Sequence, residues 1–288
     1  MPPEPLPRRP LGKTGESLSV VGFGGIIVMD ETPADAAKFV GEAIDEGCNY
    51  FDVAPSYGNA EERLGPALEP YRKNIFLACK TTERKKADAA KELRNSLKLL
   101  RTDHVDVYQM HALTTEEDTG TAFGPGGALE AFIEAKAAGL TRFLGFSAHS
   151  EEGAMRAMET GSFDTILFPF SLGSWRDGHF GPRVLEVAKK RGMGLLALKA
   201  LGKRALKDGE ARPWKKCWYG PVDTYEEALA GIRFTLSLGV TAAVSPSHIE
   251  LFRWAVRAAR EFTPLPPGEI PESLRAAAAF SPIFTASR

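Results

Sequence analysis

Four polar residues follow, or lie just beyond, short apolar runs: Asp52 after YF, Tyr57 five residues later, Lys80 after IFLAC and His111 after VDVYQM. Their chemistry is complementary. A phenol such as Tyr57 has an ordinary pKa of about 10, too high for easy proton exchange at neutral pH, but a nearby ammonium favours the phenolate and lowers it. Lys80 is the expected ammonium, and Asp52 the carboxylate that keeps it charged, since a partly buried amine without a partner tends to lose its proton. His111 is suited to hydrogen-bonding a carbonyl oxygen and turning it towards Tyr57. Alone, each has an ordinary explanation: a strand-end cap, a rim aromatic, a solvated amine, a structural imidazole. Together they read as a proton donor for a substrate carbonyl, because independent structural needs would not supply this combination of roles.

Such a set works only if distant segments converge. Eight apolar runs read as strands, at 20–24, 49–52, 75–79, 105–110, 143–146, 165–168, 194–198 and 242–244. Helical stretches fall near 33–46, 59–69, 85–100, 126–138, 150–160, 182–191, 225–238 and 248–261. Strands separated by helices call for parallel pairing, and eight units in one chain suggest a closed (β/α)8 TIM barrel over an open doubly wound sheet. Ala89, Leu93, Leu97 and Leu100 recur at helical spacing, the stripe needed to cover a barrel wall. In a barrel the four residues would share the C-terminal rim, where strands end and loops begin. Two stretches break the rhythm. Residues 8–25 carry a Gly-Lys-Thr-Gly turn and read as a short N-terminal hairpin that closes the barrel floor. Residues 201–224 form a long loop after the seventh strand, and such loops are commonly functional. The AAAA tract at 276–279 reads as helix.

The 288 residues hold 36 basic and 37 acidic side chains, so no global field attracts nucleic acid or a membrane surface. A hydrophobic share of 43% is too high for a disordered chain. The reading is one barrel domain over 1–288, with tails at 1–7 and about 263–288. Cys48, Cys79 and Cys217 lie too far apart for a disulfide framework or a metal or iron–sulfur site, and the histidines show no metal-binding spacing. With no signal-peptide core and no long apolar run, the expectation is a cytoplasmic protein with a small-molecule partner.

The four residues supply a proton but no hydride, so a reduction needs a nicotinamide cofactor. GFGG at 22–25 lacks the third glycine of a dinucleotide fingerprint and reads instead as tight packing at a strand end. FDVAPSYGNAEERLG at 51–65 resembles the signature of the aldo-keto reductase family, and KELRNSLKLLRTDHVDVYQMH at 91–111 resembles that family's third helix and fourth strand. The resemblance runs from about residue 8 to 262. It implies a (β/α)8 barrel binding NADPH or NADH in extended form, with Tyr57 as general acid, Lys80 and Asp52 tuning it, and His111 positioning the carbonyl.

The resemblance also implies a cofactor path. Gly25 and Ile26 would border it at the end of the first strand. In GFSAHS at 145–150, Ser147 would hold the carboxamide, although Ala148 stands where the family has asparagine. In FDTILFPFSLGSW at 163–175, Leu167 replaces a glutamine and Phe170 a tyrosine, so Phe170 would stack on the nicotinamide, beside Ser171. Leu198, Lys199 and Leu201 would run along the pyrophosphate, with Lys199 neutralising it. Ser245, Ser247 and His248 would take the adenosine phosphate at a helix start. Arg253, the nearest cation there, leans the choice towards NADPH.

The loop at 201–221 interleaves Lys203, Arg204, Lys207, Arg212, Lys215 and Lys216 with Trp214, Trp218 and Tyr219. It reads as a solvated mobile segment or as a lid on the cofactor or substrate. Trp175, Trp214, Trp218 and Phe280 are candidate pocket walls. The leading expectation is an NAD(P)H-dependent aldehyde or ketone reductase. Two alternatives remain: a nucleotide-binding sensor or regulatory subunit with little turnover, and a Schiff-base aldolase with Lys80 or Lys199 as nucleophile.

Overall fold

Parallel strands buried on both faces read as nearly continuous apolar runs, which is why the barrel was visible in the sequence. The computed structural model describes residues 4–212, 214–266 and 279–286; positions 276–278 of the alanine tract lie outside them. The hairpin strands β1 (Arg8–Pro10) and β2 (Ser17–Ser19) pair antiparallel. Next come β3 (Val21–Gly24), β4 (Tyr50–Asp52), β5 (Phe76–Thr81), β6 (Val105–Leu113), β7 (Thr141–Ala148), β8 (Thr165–Phe168) and β9 (Gly194–Ala197). β10 (Gly202–Arg204) and β11 (Gly220–Pro221) pair within the long loop, and β12 (Ala242–Val244) completes the set. A closed barrel runs β12-β3-β4-β5-β6-β7-β8-β9, with parallel neighbours throughout.

The helices are α1 (Pro33–Asp45), α2 (Ala60–Leu68), α3 (Lys86–Leu99), α4 (Glu116–Phe123), α5 (Ala128–Ala137), α6 (Glu151–Glu159), α7 (Leu172–Arg176), α8 (Pro182–Arg191), α9 (Tyr225–Ser237) and α10 (Ile249–Arg260). Local chemistry sets their ends. The hydroxyls of Thr32, Ser150 and Thr224 accept backbone N–H bonds at the starts of α1, α6 and α9. Helix α4 was not expected, because EEDTGTAF has little apolar periodicity. Thr115 caps it and three acidic residues occupy its first turn, so its own end chemistry supports it.

Two hydrophobic layers result. The larger lies between the strands and the surrounding helices. The smaller fills the barrel interior with Tyr50, Phe76, Val107, Leu167 and Leu196, and the hairpin's Leu11 and Leu18 pack into it. The hairpin therefore closes the floor, as its sequence suggested. At the opposite end, a Cβ on Gly24 would fall 2.4 Å from the Ser245 carbonyl oxygen. Only glycine lets β3 and β12 approach so closely there, which supports packing rather than phosphate cradling as the role of GFGG.

Candidate active site

Strand pleating and register bring the four residues together. Asp52 ends β4 opposite Ala78, so Lys80, two residues further along β5, shares its face. Asp52 and Lys80 are both about 1% exposed, and Lys80 Nζ donates to Asp52 Oδ1. The other carboxylate oxygen, Oδ2, accepts Tyr50 Oη at 3.2 Å and Gln109 Nε2 at 3.1 Å. Gln109 lies on β6 directly opposite Lys80. Tyr50 and Gln109 had not been anticipated. Yet each sits two residues before a recognised site residue, Asp52 or His111, and that period-two spacing was a usable signal.

The loop after β4 returns Tyr57 over this pair. Its hydroxyl lies 3.4 Å from Lys80 Nζ, which also lies 3.4 Å from the Val53 carbonyl oxygen. His111 meets the Tyr57 ring edge-on, with centroids 5.9 Å apart, and its Nδ1 is 3.4 Å from Ser56 Oγ.

Burial and charge set the protonation states. Burial pushes the Lys80 ammonium down, but Asp52 and Tyr57 together outweigh it and hold it above its ordinary value. Burial raises the Tyr57 phenol, and the pull of Lys80 in the other direction does not overcome it. The expected lowering of that phenol is therefore reversed: desolvation is the larger effect. His111 is held well below its ordinary value by burial and then by Lys80, so its imidazole is neutral near pH 7.

A cavity of about 320 Å³ opens beside these groups, at the low end for small-ligand pockets. Asp52, Tyr57 and His111 line it, as do Ile26, Leu198, Lys199, Ser245 and Ser247 from the expected cofactor path. Gly25, Ser147, Phe170, Ser171, Leu201, His248 and Arg253 do not. Phe170 is fully buried, with its ring 5.2 Å from that of Phe168, so it presents no face for stacking; Leu198 is the apolar wall instead. Ser147 Oγ accepts from the Ala112 N–H. Ser171 Oγ is buried without a hydrogen-bond partner. Leu201 is buried in the outer core. His248 flanks α10, and its Nε2 accepts from the Lys216 N–H at 3.4 Å. Arg253 is engaged by Glu42 at 2.6 and 2.7 Å, which removes the support it lent to NADPH over NADH.

The long loop folds over this cavity. Lys216, Cys217, Trp218 and Tyr219 line it. Lys216 Nζ reaches Glu31 at 2.7 Å and the Ile27 carbonyl oxygen at 2.8 Å, and Cys217 Sγ lies 2.8 Å from Ser247 Oγ. Of the candidate pocket walls only Trp218 lines the cavity. Trp175 packs on Phe234, Trp214 on His248 and Trp254, and Phe280 belongs to the core. His149 and Cys217, which had been given no site role, line the cavity too.

A larger hollow, about 1240 Å³, lies by the start of β5 and is lined by Arg8, Asp106 and Arg142 among others. It contains none of the four residues.

The sequence profile of the aldo/keto reductase family matches residues 21–283. The oxidoreductase YqkF of Bacillus subtilis (strain 168) is 30% identical over 193 residues, 62% of this chain and 61% of YqkF. The aldo-keto reductase YhdN of the same organism is 29% identical over 184 residues, 56% of this chain and 53% of YhdN. The chain thus matches less than two thirds of the length of these relatives. Among solved structures, an aldo-keto reductase of Bacillus halodurans (AKR11C1, holo form) superposes with a TM-score of 0.73 at 23% identity. That match covers 94% of this chain and 96% of the other, and it shows the same fold.

Proposed function

The chain belongs to the aldo/keto reductase family, and from that premise we propose that it is an NAD(P)H-dependent reductase of an aldehyde or ketone. The observation that carries this reading is the chain of contacts from Gln109 and Tyr50 through Asp52 and Lys80 to the Tyr57 hydroxyl at the mouth of the cavity. The donor set beside it suits a nicotinamide nucleotide. Ile26 and Leu198 give apolar walls, Ser245 and Ser247 give hydroxyls, and the start of α10 gives free backbone N–H groups for a phosphate. A bound nicotinamide supplies the hydride.

The protein's own residues handle the proton. Tyr57, its phenol raised by burial, holds a proton at Oη and passes it to the carbonyl oxygen as negative charge grows there. Lys80, kept charged by Asp52, stabilises the phenolate left behind. Asp52 cannot turn away from Lys80, because Tyr50 and Gln109 hold its second oxygen. His111 is neutral and offers one N–H to orient the carbonyl oxygen. The loop segment 216–219, which lines the cavity, would act as a lid that keeps water from the reacting atoms.

The test measures NADPH and NADH dissociation constants side by side, followed by nucleotide oxidation with a panel of aldehydes and ketones. Carbonyl-dependent oxidation is expected with at least one nucleotide. Tight nucleotide binding with no turnover across the panel would contradict the reductase reading and favour a sensor.

A further inference from the structure

Three lysine amines border the site, and they differ in one respect. Lys80 is paired with Asp52, and Lys216 with Glu31. Lys199 has no carboxylate partner among the described residues, and it is 7% exposed. Its Nζ lies 3.5 Å from His149 Nε2 and sits over the rings of Trp218, Phe284 and Tyr219 at 5.1, 5.2 and 5.8 Å. Its backbone is left-handed, with φ 59°, a conformation that non-glycine residues seldom adopt. Asp52 is the sole acidic group lining the cavity among the described residues, and its oxygens are already engaged by Lys80, Tyr50 and Gln109.

The cavity therefore holds one amine whose charged form has no carboxylate to compensate it. Burial, followed by the repulsion of Lys80, lowers the Lys199 amine to about 7. An anion entering the cavity would reverse that penalty and gain charge-assisted hydrogen bonds in a place where water competes weakly. The aromatic rings give only part of what a desolvated ammonium needs. Lys199 shares the cavity lining with Tyr57 and His111, and its charge helps to lower His111. Its contacts are with His149 and the aromatic wall, not with Ser245 or Ser247.

We propose that Lys199 is the receptor for a carboxylate on the substrate, so that the preferred substrates are small carbonyl compounds bearing an acid group, such as oxo-acids or aldehyde-acids. The inference rests on the reductase reading, which it makes specific. The carbonyl oxygen addresses Tyr57 and His111 while the carboxylate, on the same small molecule, pairs with Lys199.

The experiment compares kcat/KM for 4-carboxybenzaldehyde and its neutral isostere 4-formylbenzamide in the wild type, Lys199→Met and Lys199→Arg. The NADPH dissociation constant is measured for each protein. A charge-assisted contact predicts a wild-type preference for the acid of about 10- to 100-fold. Lys199→Met should bring the two substrates within about 3-fold of one another. Lys199→Arg should keep much of the preference, and with NADPH saturating in every assay the ratio between the two substrates reports the carboxylate contact whatever the variant does to nucleotide binding. An unchanged preference in Lys199→Met would overturn the proposal. So would an unchanged preference accompanied by weakened NADPH binding, which would assign the amine to a cofactor phosphate.

Benzoate and benzamide binding, followed by tryptophan fluorescence, separates the two readings if neither aldehyde is reduced. Benzoate bound more tightly than benzamide, with the difference lost in Lys199→Met, would uphold the anion receptor independently of the reductase assignment, which the carbonyl panel decides. Equal binding of both would remove the receptor.

Discussion

Gln109 donates from Nε2 to Asp52 Oδ2 at 3.1 Å, and it does so from the strand position directly opposite Lys80. The contact holds the carboxylate square to the ammonium, so Gln109 positions Lys80 without touching a substrate. Replacing it by leucine leaves Asp52 short of one buried hydrogen bond, a loss of about 1–3 kcal/mol. Gln109→Leu is expected to unfold at lower denaturant concentration and to lose about tenfold in kcat for each 1.4 kcal/mol of that misalignment expressed at the site. A kcat–pH profile is the telling readout. A purely structural role would lower stability and leave that profile where it was.

Glu31 and Lys216 pair at 2.7 Å and tie down the long loop beside the cavity, with Lys216 about 11% exposed and Glu31 about a third exposed. Partial exposure limits the pair to about 1 kcal/mol or less. Glu31→Gln should accordingly speed nucleotide release by up to roughly fivefold, measured by stopped-flow displacement, with little change in thermal stability. An unchanged release rate would mean that the lid opens without breaking this contact.

Lys199 makes the stability of the ligand-free protein depend on pH. Its amine titrates at about 7 in the folded protein against an ordinary 10.5, so between those values the unfolded chain binds more protons than the folded one. Stability therefore rises with pH from about 7 to 10.5 through this group, and its penalty is present in full below 7. Thermal melts of wild type and Lys199→Met should be close together near pH 10.5, separate as the pH falls towards 7, and keep a constant difference below it. Parallel curves would place the amine in a wetter environment than the cavity provides.

Much of this architecture was legible in the sequence. The eight barrel strands were found within a few residues of their ends because parallel strands, buried on both faces, leave uninterrupted apolar runs. Asp52, Lys80 and His111 stood out for the same reason: each is the polar residue where such a run stops. Tyr50 and Gln109 were missed because a polar residue inside an apolar run passes for core, although their spacing placed them on the cavity face. The aromatic cage around Lys199 left no trace, since His149, Trp218, Tyr219 and Phe284 come from separate segments joined only by the folding of a loop and the C-terminal segment. Loops carry no periodic signal. The direction of the Tyr57 shift was misjudged for a related reason: charges can be counted along a sequence, but the desolvation that outweighs Lys80 depends on packing.

The proton-donor assignment of Tyr57 is tested most directly by Tyr57→Phe, assayed for carbonyl-dependent oxidation of NADPH alongside a fluorescence titration of nucleotide binding. Removal of the hydroxyl beside Lys80 should lower kcat/KM by about 10²- to 10⁴-fold, the range for a positioned general acid, while the nucleotide dissociation constant changes by less than about twofold. A Tyr57→Phe protein that reduces the same carbonyl compound at the wild-type rate would show that the proton comes from elsewhere.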